Sequence, residues 1–575
     1  MRTKLVFLSL SGAAAIVQPR SFLPQMRMGT PSLAPPYGQG TRVCIVGGGP
    51  AGALAALYLA HPSRGFHVDV FETMTEEELA RRTSRSYNVV IFRRGLEALQ
   101  LAGVDLQDQV IASNAVRLSG NVRHSTVDDT VKINKGFAQA ISMERGDLAY
   151  TILTKASQLP NVRFFYGHQL QSVDLPSRCV HYQDPPPSDK DCYHRPLLVR
   201  WFRRSYDLSA LSTCRGVHIC FGYYIVHVII ALLHLVQSMP SLTLFSCDHS
   251  SATFEVLGGE EKKFEYDMIL GADGVNSRVR QALVDGSLDF VVRKRQDFME
   301  FKTFTVGRIM DLPGAQDGWD SCFHVWKSSV GDILGPPRAD GSFSGTCILP
   351  REGENSFKSL MQAPADVQSF FSKNYPSVFG DKGPSSEFVE EFFKQRPSYM
   401  KSTYCSRLTQ GCVALVGDAA HSMWASLGQG VNAAMEDCQV LAEVLDSWAS
   451  QAEGTGGAFN ISASLEAYND RRLDDAIAVT ELSEVGVSRS SPTIKSGFIV
   501  TLLFHRFLGF LAPKVFREPI LMSISKPGVS YSEIKRGAQK EARRGAAVVL
   551  VVLAVGVTAI VRRVVPLVLA AFRPG

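Results

Sequence analysis

The chain has 575 residues, of which 45% are hydrophobic and 20% charged, and a formal net charge of +5. This length exceeds what one hydrophobic core supports, so two or more compact units plus tails are expected. The small, dispersed positive charge argues against a nucleic-acid-binding protein. Eleven cysteines without a C-x-x-C pair argue against both a disulfide framework and a zinc site. The close Cys/His pairs (Cys192 with His194, His218 with Cys220, Cys247 with His249) all fall in one atypical segment, so no metal is expected.

Residues 1–40 read as a targeting leader. No acidic residue precedes Asp69, Leu5 to Val17 is a short apolar run behind Arg2 and Lys4, and a Ser/Pro-rich stretch follows. The pattern fits a secretory signal joined to an organelle transit segment, plastid or mitochondrial, with a leader that carries no address as the alternative. Thr41 to Val46 then reads as a buried parallel strand. Gly47, Gly49 and Gly52 form a G-x-G-x-x-G turn that allows a tight bend, close backbone approach to a pyrophosphate and close packing of the helix from Ala53 to Ala60. That helix directs its N-terminal amides at phosphate. The strand Val68 to Glu72 ends on a carboxylate twenty residues beyond Gly52, the spacing expected of an acceptor for ribose hydroxyls.

Residues 177–250 break the flow. Val217 to Val236 is apolar enough to span a bilayer, yet it lies between strand-like runs of one soluble unit. The segment is read as an insertion, either an extra surface element or a translated intron, and sequencing the transcript separates the two. Phe264 to Leu270 is a strand leading into Gly271-Ala272-Asp273-Gly274, where Asp273 either caps the following helix or holds a cofactor hydroxyl. Alternating runs at Phe301 to Ile309 and Gly345 to Leu349 read as antiparallel strands of a second sheet. Val413 to Val416 is a further buried strand, followed by Gly417-Asp418-Ala419-Ala420-His421, the turn Gly428-Gln429-Gly430 and an amphipathic helix to Trp448. Amides at the start of that helix favour negative charge on a bound group. Ala546 to Val561 is an almost unbroken apolar run between arginine pairs, read as a C-terminal membrane anchor with a core helix as the alternative.

These motifs, in this order, resemble the class A FAD-dependent aromatic hydroxylases, and among them the kynurenine 3-monooxygenase group. The resemblance covers about 42–173 and 264–532. Its further carriers are Arg85-Ser86-Tyr87-Asn88 with Arg94-Gly95, Ser142 to Leu148, Pro160-Asn161-Val162, His168-Gln169-Leu170, Phe323-His324-Val325-Trp326, and Val431-Asn432 with Glu436-Asp437. It implies an α/β fold with a Rossmann-like FAD-binding domain, an antiparallel-sheet substrate domain, C-terminal helices and a membrane anchor. It implies that Gly47, Gly49, Gly52, Glu72, Arg145, Leu170, Asp273, Gly274, Asp418, Gly428, Gly430, Val431 and Asn432 hold FAD, with Asn432 also acting in catalysis and at the substrate. NADPH or NADH would reduce the flavin, O₂ would add at C4a, and the hydroperoxide would hydroxylate a small aromatic molecule. His324 is a weaker candidate for a role.

The chain departs from the group in its substrate residues. No tyrosine lies between Tyr87 and Tyr150 or between Tyr468 and Tyr531, where the group places one each. Asn121 stands near the place of the group's carboxylate-binding arginine, with Arg123 or Arg117 as the substitute, and the proline before the Gly-Gln-Gly turn is missing. Kynurenine is therefore one candidate substrate. An epoxidase or reductase acting on isoprenoid lipids and a catalytically silent membrane flavoprotein are the alternatives. The expected division is a leader (1–40), FAD-binding domain in three parts (41–176, 251–300, 401–450), the insertion (177–250), a substrate-side sheet (301–400), C-terminal helices (451–544) and the anchor (545–575).

Overall fold

The computed structural model describes residues 37–81, 87–104, 114–125, 130–174, 250–256, 261–380, 382–485, 523–541, 543–544 and 557–558. A six-stranded sheet carries, in spatial order, Thr409–Gln410, Val413–Leu415, Met268–Gly271, Arg42–Val46, His67–Glu72 and Val162–Tyr166. All neighbours run parallel except the first pair. Its central strands are apolar along their whole length because helices cover both faces. Pro50–Leu59 lies on one strand turn and is buried nearly all round. Gly430–Thr455 packs beside it, and Ile461–Val485 packs against Gly430–Thr455. Parallel pairing has a direct consequence for function. Arg42–Val46, Met268–Gly271 and Val413–Leu415 are adjacent, so the loops that follow them emerge at one edge of the sheet, where ligands of open α/β sheets bind.

The second sheet has eight strands in the order Ser398–Cys405, Val292–Val306, Phe343–Pro350, Asp332–Gly335, Cys322–Lys327, Ala115–Ser125, Thr130–Glu144 and Asn88–Ile91. It is antiparallel apart from the parallel pair Cys322–Lys327 with Ala115–Ser125. Three of its strands thus come from within 41–176, the stretch assigned by sequence to FAD binding alone. The cause is the hairpin Ala115–Ser125 with Thr130–Glu144, whose half-buried alternation suits a two-faced antiparallel sheet and not the all-buried parallel one.

A third, three-stranded sheet joins His168–Asp174, Ser250–Val256 and Glu261–Tyr266. The strand expected over Phe264 to Leu270 is therefore two elements, broken at Asp267, which accepts a hydrogen bond from Arg42 N at 2.7 Å. Asp174 and Ser251 are cross-strand partners. The two ends of the expected insertion thus lie side by side, an arrangement in which added length costs little closure entropy. Residues 175–249 lie outside the described residues, as do 1–36 and the tail apart from Val557 and Thr558. Among the described residues no helix is long and apolar enough to cross a membrane.

One face of the eight-stranded sheet packs on an aromatic core that includes Trp319, Trp326, Phe343, Phe371 and Phe392. His124 and His324 are stacked within it, and the ring of His124 lies 4.8 Å from that of Trp326. His324 Nε2–H donates to the Trp319 carbonyl at 2.9 Å, which leaves Nδ1 to accept from His124 Nε2–H at 3.0 Å. His324 is thus a fully buried core residue with both ring nitrogens paired. Burial holds His324 down to about 4, and burial with the neighbouring His324 holds His124 to about 3. An unfolded chain takes up these protons near pH 6.5 whereas the folded one does not. Stability should therefore be at its full value above pH 6.5 and decline between pH 6.5 and 4. Thermal unfolding followed across this range should show the slope, and His124→Phe should flatten it; an unchanged slope in the variant would remove the pair as its source.

Candidate functional site

Three sequence motifs meet at the common edge of the parallel sheet. The first glycine, Gly47, has φ +105°, and a Cβ on it would lie 2.5 Å from the Ala272 carbonyl oxygen. A Cβ on Gly52 would lie 1.9 Å from the Gly47 carbonyl oxygen, so the helix seats directly on the turn. A Cβ on Gly417 would meet Ala51 at 3.4 Å and Ala434 at 3.1 Å. The first motif therefore touches both the second and the third. Gly49 and Gly430 behave differently. A Cβ on Gly49 would meet only Arg145 Nη2, at 3.6 Å, and one on Gly430 would meet nothing within 4 Å. These two backbone positions open onto free space, as close approach to a bound dinucleotide requires.

Glu72 ends its strand beside this turn. Its Oε2 accepts from Gly48 N at 2.7 Å and its Oε1 from Met74 N at 3.0 Å, which fixes the carboxylate and leaves lone pairs for ligand hydroxyls. Arg145 starts a helix, is exposed, and lies over Gly49. Asp418 also exposes its side chain, although protein encloses it. Burial raises its carboxyl group above the usual range, against the opposing pull of Arg145, His421 and Arg280. The phenol of Tyr87 shares this enclosure; it is raised by burial and feels both Arg145 and Asp418. In sequence, the signal for Tyr87 is an aromatic residue flanking the Arg85-Ser86 pair.

Other expected site residues are occupied within the protein. Asp273 caps the helix Arg278–Gly286, its Oδ2 accepting from Arg278 N at 2.6 Å and Val279 N at 3.2 Å, while its buried Oδ1 is unpartnered. Gly274, φ +77°, makes the turn. The Leu170 carbonyl accepts from Arg278 Nη1. Gly428, φ +61°, precedes the helix Gly430–Thr455, and Val431 lies half-buried in its first turn. Asn432 is fully buried. Its Nδ2 donates to Val90 O at 3.1 Å and Gly428 O at 2.9 Å, and its Oδ1 accepts from Phe92 N at 2.8 Å. Both of its N–H donors are spent on backbone, so the side chain positions the turn against the strand Asn88–Ile91. Arg123 and Arg117 lie exposed on one face of Ala115–Ser125 and form no ion pair among the described residues. Neither shares a described contact with Asn432.

Behind the turns lies a charge network that sequence reading missed. Asp437 Oδ2 accepts from Gly417 N and His421 Nε2, both at 2.7 Å, and Oδ1 accepts from Arg472 Nε at 2.7 Å. His421 and Arg472 hold this carboxyl group below the usual range in spite of its burial. Glu436 pairs with Arg472 at 2.8 Å and with Arg94. The readable signal was an acidic pair, Glu436-Asp437, within an otherwise apolar helix face. Among the described residues no cluster of His, Cys, Asp and Glu is arranged to hold a metal ion.

Residues 246–483 match the family model described as FAD binding domain. Over most of its length the chain is similar to proteins named kynurenine 3-monooxygenase. The one from Caenorhabditis briggsae is 24% identical, with 87% of this chain and 93% of that protein covered. Those from Yarrowia lipolytica (26%; 77% and 79% covered) and Salinispora arenicola (25%; 87% and 91%) are similar too. Among solved structures, 2-methyl-3-hydroxypyridine-5-carboxylic acid oxygenase shares the fold at a TM-score of 0.51 and 18% identity, covering 77% of this chain and 90% of its own. HpxO of Klebsiella pneumoniae complexed with FAD and uric acid gives a TM-score of 0.51 at 17% identity, covering 80% and 92%. With three dinucleotide-site loops at one sheet edge and this similarity along the chain, the findings support an FAD-dependent monooxygenase similar to the class A flavin hydroxylases.

Proposed function

We propose that the chain consumes NAD(P)H and O₂ to hydroxylate a small aromatic molecule, in the manner of a kynurenine 3-monooxygenase. The observation that supports this reading best is the meeting of the three loops around free space at Gly49 and Gly430. FAD, when bound, supplies the redox and oxygen chemistry. The residues of the chain hold and polarise it. Gly47, Gly49 and Gly52 let the backbone reach a pyrophosphate, with Arg145 beside it as counter-charge. Glu72 and Asp418 are carboxylates suited to ribose or ribitol hydroxyls. The amides of Gly430 to Asn432 start a helix of 26 residues and favour negative charge on the reduced ring. Asp273 contributes by capping its helix, and Leu170 by a backbone position fixed through Arg278.

Gly49→Val and Gly52→Ala separate cofactor binding from folding. Gly49→Val should fold normally and purify poor in flavin, because its added atoms enter the open space near Arg145. Gly52→Ala should lower stability or prevent folding, because its Cβ overlaps the Gly47 carbonyl. A full flavin spectrum in Gly49→Val would reject the dinucleotide role of this turn.

The substrate reading rests on the sheet face that carries Arg117, Asn121 and Arg123, with Phe323 and Val325 registered beside Asn121 and Arg123. The group's two tyrosines have no counterparts here, and a site that loses hydrogen-bond partners discriminates against its former ligand. Kynurenine should stimulate NADPH oxidation weakly, and a less polar aromatic or isoprenoid ligand should stimulate it more. Formation of 3-hydroxykynurenine at about 1 per second or faster would overturn this, and loss of that rate in Arg123→Ala would name the carboxylate partner.

The reading includes placement on an organelle membrane, plastid or mitochondrial, through residues 545–575. It is supported by the acid-free leader and the apolar tail. Carbonate extraction should leave the full-length protein in the membrane fraction and release a form ending at residue 542; release of both would reject the anchor.

A further inference from the structure

The C-terminal segment 523–541 is fastened to the Gly428–Gly430 turn at one point. Tyr531 is fully buried, and its hydroxyl donates to Oε1 of Gln429, also fully buried, at 3.1 Å. Gln429 Nε2 donates to Leu427 O at 3.3 Å and reaches Ser525 Oγ at 3.5 Å. The ring of Tyr531 lies under the guanidinium of Arg94, 4.2 Å from its centroid. The same guanidinium donates to Lys526 O at 2.8 Å and Val529 O at 2.7 Å. Ser532 N donates to Asp475 Oδ1 at 2.9 Å, which ties the next residue to the helix Ile461–Val485. Gln429 is the middle residue of the turn and the N-cap of the helix Gly430–Thr455. Its side chain points away from the open side at Gly430 and into this clamp.

We propose that Tyr531 is a positioning residue for the flavin. Through Gln429 it fixes the backbone of the Gly428–Gly430 turn, so that docking of the C-terminal segment sets how the amides of the helix meet the ring. The inference rests on the reading that FAD lies against this turn. The two parts of Tyr531 have separable tasks. The ring packs on Arg94 and secures the segment. The hydroxyl makes the hydrogen bond to Gln429, and without it a buried acceptor is left unpaired.

Tyr531→Phe keeps the ring and removes the hydroxyl. The apo-protein should stay folded, since the stack on Arg94 is retained, and unfold at a modestly lower temperature because a buried acceptor is left unpaired. The affinity for FAD should fall about five-fold, as expected for one neutral hydrogen bond. The visible absorption maxima of the bound flavin and its rate of reduction by NADPH should change as well. Gln429→Ala should give a similar loss, and Tyr531→Phe with Gln429→Ala together should be no worse than Gln429→Ala alone. Wild-type affinity and spectrum in Tyr531→Phe, or losses that simply add in the double variant, would overturn this inference while leaving the flavin site standing. Wild-type protein that takes up no FAD would remove both.

Discussion

The arrangement of the site depends on two adjacent carboxylates, Glu436 and Asp437, placed one to two turns into the helix that begins at Gly430. Asp437 reaches back to the amide of Gly417 and to His421, which sets the turn that carries Asp418. Glu436 reaches forward to Arg94 and sideways to Arg472, which itself also pairs with Asp437. One rigid helix thus fixes the distance between the Asp418 turn and the Gly428–Gly430 turn. Arg472 carries the constraint to the helix Ile461–Val485, and Arg94 carries it to the segment 523–541.

Such a network is a costly way to gain stability, since desolvating several charges offsets much of their mutual attraction. What it provides is a defined geometry. Removing one partner from a buried pair costs about 3–5 kcal/mol, because the other charge is left uncompensated. The lines joining the turns therefore resist displacement by a few tenths of an ångström far more than an apolar contact of the same area would. Asn432 adds a second tie of neutral kind. By spending both amide hydrogens on backbone, it holds the helix start to the strand Asn88–Ile91 of the other sheet. The relation between the flavin edge and the substrate-side sheet is set where these two ties meet.

The flavin half of the site was legible in the sequence because it is built from backbone. Glycines at fixed offsets, a carboxylate at a strand end and a glycine turn before a helix leave marks that need no knowledge of distant partners. The parallel strands were legible for a similar reason, as short runs buried on both faces. That 88–144 supplies three strands to the eight-stranded sheet was not legible, because a strand's partner is a long-range fact. Ala115–Ser125 alternates as either an edge or an interior strand would, and only pairing with Cys322–Lys327 fixes its place. The roles of Asp273 and Asn432 were legible as to position and not as to use. Asn432 bonds to backbone with both amide hydrogens and its oxygen, and Asp273 caps a helix with Oδ2 while Oδ1 is unpartnered, uses that local sequence does not reveal. Arg94, Arg472 and Tyr531 come together only through tertiary structure, from positions as far apart as 94 and 531.

This division bears on what separates one member of the family from another. The network leaves little freedom in the turns that face the flavin, since a side chain altered there also disturbs charges buried behind it. On the proposed reading, differences in substrate are accommodated away from this network. The sheet face carrying Arg117, Asn121 and Arg123 is the one this reading points to: its opposite face is locked by His124, His324 and Trp326 in the aromatic core, while Arg117 and Arg123 form no ion pair among the described residues. The fixed rear of the sheet keeps the strands in register, and on the other face Asn121 accepts from Asn134 Nδ2 at 3.0 Å. On the proposed reading the absence of the group's tyrosines is compatible with an intact flavin edge, because the proposed substrate face and the flavin turns belong to different sheets.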